Sequence, residues 1–127
     1  MDRPSLKRRP IRQTEEQKLQ TLRDNATNGD VDAQFALAQR LEHGDKLVTK
    51  DEKAAVRWYL SAGMKNHIEA LCRLAYMAEN GIGTERSVSH AFTAYNEAIN
   101  RAKTKPQRAV VEKYSEQLPR TIKYQPR

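Results

Sequence analysis

The 127-residue chain holds a single cysteine, Cys72. An internal disulfide is therefore impossible and no cysteine-based metal site can form, which makes a reducing cytoplasm the expected compartment. Long apolar runs are missing too. Hydrophobic residues make up 38% of the chain, and none of their runs approaches the ~20 residues that cross a bilayer, so no membrane span is expected. Behind the basic residues of the first ten positions no apolar stretch follows, and a secretory signal is not expected either. The three histidines, His43, His67 and His90, include no His-x-x-x-His pair, and no metal or other cofactor is expected. No segment alternates between apolar and polar residues as a half-buried strand would. The length suits one domain.

What the chain has in excess is positive charge, and it sits at the ends. The formal charge is +7. Residues 1–20 carry six bases and three acids, residues 101–127 eight bases and two acids, and residues 21–100 nine bases and eleven acids. A near-neutral middle is expected to carry the fold, with 1–12 and 119–127 as basic tails around a domain of 13–118. Basic ends are in most proteins solvated flanks, but they also suit an anionic partner. Lys7, Arg8, Arg9, Arg120, Lys123 and Arg127 are the candidate anion contacts, with Tyr124 able to stack on a base.

The middle repeats itself. Ala33-Gln34-Phe35-Ala36-Leu37-Ala38, followed by Gly44, returns 37 residues later as Ala70-Leu71-Cys72-Arg73-Leu74-Ala75, followed by Gly81. Ala55 to Ala62 returns 36 residues later as Ala91 to Ala98. Apolar residues at three- and four-residue steps make each unit a pair of helices. Asp30, Asp51 and Ser87 stand where N-caps belong, while Gly44, Gly81 and Asn66 stand at helix stops. Thr14 with Gln17 and Thr104 with Gln107 have the capping-box spacing. The predicted helices are 14–28, 31–43, 52–65, 67–80, 88–103 and 105–117. Eight alanines (33, 38, 55, 62, 70, 75, 91 and 98) would let helix axes approach, with Leu37, Leu74, Trp58, Tyr59 and Tyr95 filling the gaps. Trp58 is expected to be buried between the hairpins. Two repeats leave apolar ends, so the first and last helices should cap them, the last through Val110, Tyr114 and Leu118. Gly63, inside a helix, should cost about 1 kcal/mol relative to Ala.

These motifs, with Trp58-Tyr59 and Glu79-Asn80-Gly81-Ile82-Gly83, resemble the Sel-1-like repeat family, a branch of the tetratricopeptide-like solenoids. The resemblance implies an all-α fold, a short α-solenoid of stacked antiparallel hairpins with capping helices. It also implies a concave groove lined by Phe35, Gln39 and Glu42 from the first unit and Cys72, Tyr76 and Glu79 from the second. Tyr76 is the expected anchor and Glu42 and Glu79 a mildly acidic rim; Phe35 is either a second anchor or core. Departures from the family pattern at Lys46, Leu41, Ala78, Ala94 and Gly63 bear on the regularity of the superhelix. The paired cysteines of secreted, cysteine-rich members are absent, so no ligand is carried over from them.

Catalysis finds little support in the residues. No carboxylate pair stands in an apolar run, Cys72 has no activating base beside it, and Gly81-Ile82-Gly83-Thr84 lacks the further glycine and the lysine of phosphate-binding loops. The expectation is a non-catalytic adaptor or regulator that binds another protein, with no small-molecule substrate. The alternative is a nucleic-acid-associated accessory protein using its basic ends.

Overall fold

The computed structural model describes residues 12–117, which form six helices and no strand. They are α1 (Glu15–Thr27), α2 (Val31–His43), α3 (Glu52–Met64), α4 (Ile68–Asn80), α5 (Val88–Arg101) and α6 (Lys105–Ser115). The second helix has the predicted limits, and the other five are shorter by one or two residues at one end or both. Much of that difference is the caps, which flank a helix without belonging to it. Asp30, Asp51 and Ser87 each accept a hydrogen bond from the backbone N–H three residues on. Both capping boxes form: Thr14 Oγ1 accepts from Gln17 N–H at 3.1 Å while Gln17 Oε1 accepts from Thr14 N–H at 2.9 Å, and Thr104 and Gln107 repeat the exchange on α6. The cap of α4 was not foreseen. His67 Nδ1 accepts from Ala70 N–H at 3.1 Å.

Consecutive helices pack as antiparallel neighbours, α2 on α3 and α4 on α5, with α1 against α2, α3 against α4 and α6 against α4. All eight alanines named above are buried, so the helix axes approach at Cβ distance and the gaps take Leu37, Tyr59 and Tyr95. Trp58 corrects the sequence reading. It lies only partly buried against the first-unit cluster, because the next residue, Tyr59, about 100° further round the helix, takes the interior position and is fully enclosed. Gly63 also reads differently in three dimensions. A Cβ there would stand 2.9 Å from Leu71 Cδ2 and 3.3 Å from its Cγ, so the missing side chain lets α4 close onto the end of α3.

A device of long cations joins successive units. Lys65 Nζ donates to the carbonyl of Gly29 at 3.1 Å. One repeat later, 36 residues on, Arg101 Nη1 donates to the carbonyl of Gly63 at 3.2 Å and to Asn66 Oδ1 at 3.0 Å. Each reaches back to the turn that ends the preceding unit and adds a side-chain donor to a carbonyl there. The outer helices complete the core. Leu19 and Ala26 of α1 join the first cluster, and Val111 and Tyr114 of α6 join the second. Val111 takes the enclosed place expected of Val110, which is only partly buried; Leu118 lies outside the described residues.

Candidate functional site

The groove candidates separate into two groups. Gln39 is exposed on α2 and Tyr76 half-buried on α4. Phe35 is half-buried and its ring is engaged within the protein, stacked on His67 at 4.2 Å between centroids and tilted against Tyr59 at 5.5 Å. Glu42, Cys72 and Glu79 are buried, contrary to the expectation of an acidic rim, and of the three only Glu42 reaches the wall of the recess described below. The physical reason is the donors around them. Glu42 accepts a hydrogen bond from Tyr59 Oη at 2.7 Å and an ion-paired bond from Arg73 Nη2, which draws its carboxylate inward. Glu79 Oε1 accepts from Arg86 Nη2 at 3.3 Å. Cys72 is wholly enclosed, and burial pushes its thiol up to about 12, so it can neither line a groove nor act as a nucleophile at neutral pH.

Arg73 is the residue that sequence reasoning passed over. Its guanidinium carbon lies 4.8 Å from the Tyr76 ring centroid and 5.9 Å from that of Tyr114, distances at which a cation is attracted to the ring. Tyr114 Oη in turn donates to Glu69 Oε2 at 2.7 Å. A belt of Tyr59, Glu42, Arg73, Tyr114 and Glu69 thus ties α3, α2, α4 and α6 together, with Tyr76 resting on Arg73. Burial, and then the adjoining carboxylates, raise the phenols of Tyr59 and Tyr114 above the ordinary tyrosine range, so both remain neutral donors. The carboxylate of Glu42 raises the Arg73 guanidinium despite its burial. One signal for Arg73 existed in the sequence: the first repeat has Ala36 at the same position.

Beside this belt lies a recess of about 600 Å³ whose walls include Glu42, His43, Lys50, Arg73, Tyr76 and Gln117, with Glu52 at its edge. Lys50 and Glu52 pair at 3.5 Å on its rim. The rim is therefore mixed in charge, with one half-exposed aromatic ring held against a fixed guanidinium. Such a surface can stack an apolar or aromatic side chain and hydrogen-bond the backbone beside it. Among the described residues no three His, Cys, Asp or Glu side chains are grouped to hold a metal ion, and no helix is long and apolar enough to cross a membrane. Lys7, Arg8, Arg9, Arg120, Lys123, Tyr124 and Arg127, on which the nucleic-acid alternative rests, lie outside the described residues.

The family model described as the Sel1 repeat matches residues 31–67 and 68–100. Among solved structures, the chain is similar to the cysteine rich protein B of Helicobacter pylori, with a TM-score of 0.66 and 23% identity over 77% of this chain and 73% of that one. It is also similar to a Sel1 repeat protein from Oxalobacter formigenes, with a TM-score of 0.63 and 27% identity over 85% of this chain and 80% of that one. No curated protein matches.

Proposed function

The chain belongs to the Sel1 repeat family, and from that premise we propose that it is a non-catalytic adaptor whose concave recess holds a segment of one partner protein. Proteins of this family are in general helical-repeat interaction proteins of a non-catalytic, scaffold type. The observation that carries the reading is Tyr76: half-exposed in the recess, and braced by Arg73 at 4.8 Å. A preorganised ring loses little entropy on binding and supplies large contact area. The segment it suits presents an apolar or aromatic residue to Tyr76 and polar groups to His43 and Gln117. A preference for flanking Lys or Arg loses its basis, because Glu42 and Glu79 already have cationic partners. The compartment we propose is a reducing cytoplasm, in keeping with a lone buried thiol.

The test is an affinity capture with and without nuclease, followed by titration of the recovered protein against Tyr76→Ala and His43→Ala. Capture that survives nuclease and weakens by ~30-fold or more in Tyr76→Ala, with the melting temperature nearly kept, is the expected result. Binding untouched by Tyr76→Ala refutes the recess as the site, and capture lost with nuclease refutes the protein partner.

A further inference from the structure

The second helix of each hairpin, α3 and α5, carries a further exposed surface. Five large hydrophobic residues are exposed among the described ones, and four of them lie on α3 and α5: Leu60 (49%), Met64 (72%), Val88 (39%) and Phe92 (48%). Leu60 and Met64 are one turn apart, as are Val88 and Phe92, so each pair shares a helix face. Between the helices opens an apolar slot of about 210 Å³, walled by Val56, Leu60, His90 and Ala94 and floored by Leu74 and Met77 of α4; Val88 and Phe92 lie on the other side of α5 from His90 and Ala94. The same stripe of α3 continues into Lys53 and Arg57, spaced four, three and four residues through Leu60 to Met64. Both cations are exposed, and neither has an ion-pair partner among the described residues. Acids are scarce here. Residues 53–64 and 88–96 contain none, Glu52 pairs with Lys50, and Glu97 pairs with Arg101 at 2.8 Å; Asp51 and Glu85 border Lys53 only in a separate recess at the end of the stripe.

We propose that this α3–α5 face is a second docking surface, separate from the concave recess, and that it takes an amphipathic helix of a partner protein with an apolar stripe beside acidic residues. The apolar residues enter the slot at Leu60 and Ala94, and the carboxylates meet Lys53 and Arg57. A helix fits because two neighbouring helices form a groove that an i, i+3, i+4, i+7 stripe can enter. An added strand would need an exposed sheet edge, and the described residues have no strand. A second copy in a two-fold pairing fits poorly, since it would bring Lys53 and Arg57 against the same pair and leave them without carboxylates. The chain's own residues 118–127 contain three bases and no acid, and would bring like charge to like.

The probe is a pair of fluorescein-labelled, alanine-based helical peptides with leucine at i, i+3, i+4 and i+7, one flanked by glutamate and its twin by lysine. Each is titrated into the full chain by anisotropy, beside sedimentation of the chain alone and flotation with phosphatidylglycerol vesicles. The acidic peptide is expected to bind at least tenfold tighter than its twin. Leu60→Ser, on an exposed position, should weaken it at least tenfold with an unchanged melting temperature, whereas Phe92→Ser, on the far side of α5 from the slot, should leave binding as it is. Lys53→Glu with Arg57→Glu should abolish the preference, and Tyr76→Ala should leave binding as it is, which separates this surface from the recess. Four results overturn the proposal: no binding of either peptide at about 1 mM, equal binding of the two, dimerisation of the chain that Leu60→Ser abolishes, or vesicle binding that Leu60→Ser abolishes while the peptides stay unbound.

Discussion

Replacing Glu42 with alanine separates a groove rim from a structural hub. On an exposed rim such a change stays within about 0.5 kcal/mol of neutral. In the observed position it takes away the acceptor of Tyr59, a fully enclosed residue, and the counter-charge of Arg73, whose side chain is only 16% exposed. An orphaned buried hydroxyl costs roughly 1–3 kcal/mol, and breaking one side of a buried ion pair roughly 3–5 kcal/mol. The two overlap, and Arg73 keeps the Tyr76 and Tyr114 rings beside it, so a loss of about 4 kcal/mol is expected. For a domain of this size that lowers Tm by roughly 15 °C. Urea unfolding followed by far-UV ellipticity and by the emission of the single Trp58 reads it directly. Glu42→Met combined with Arg73→Met should recover at least half of the loss, because the desolvated charges leave together. A cost under about 1 kcal/mol for Glu42→Ala would put the carboxylate in solvent and refute the belt.

Gly63→Ala sets a helix-propensity gain of about 1 kcal/mol against overpacking on Leu71 of roughly 1–3 kcal/mol; a net loss near 1 kcal/mol is expected by thermal melting, turning to a gain in a Leu71→Ala background. His67 is held below its ordinary pKa by burial, with Asp32 and Glu69 opposing, so the unfolded chain takes up its proton first. Stability should therefore be complete above pH 6.5 and decline as pH falls below it, until the folded form also protonates. His67→Asn keeps an N-cap and should flatten that decline in urea titrations; an identical slope in both proteins would clear His67 of the role. Cys72 should resist a disulfide reagent at about pH 8 in the folded protein and react fully in urea, whereas rapid labelling of the native state would contradict its burial.

The repeat, the six helices and five of their six N-caps were legible in the residues because each depends on neighbours three or four positions away. Thr14 with Gln17, or Asp51 with Ala54, closes its hydrogen bond within one turn wherever the rest of the chain lies. His67 was the exception, since its imidazole caps α4 while its ring stacks on Phe35 from the preceding unit. Within the candidate site, Tyr76 could be placed by counting degrees around a helix, but Glu42 and Glu79 could not. A long acidic side chain one turn further along can face water or fold inward, and the choice depends on donors that arrive from elsewhere. For Glu42 these are Tyr59, 17 residues on, and Arg73, 31 residues on. Gly63 shows the same division: local propensity marks it as a defect, and only the approach of Leu71 makes it a fit. Periodicity determines which face of a helix is apolar. Which polar group is taken into the interior, and which ring is left in the open, is decided by what packs across from it.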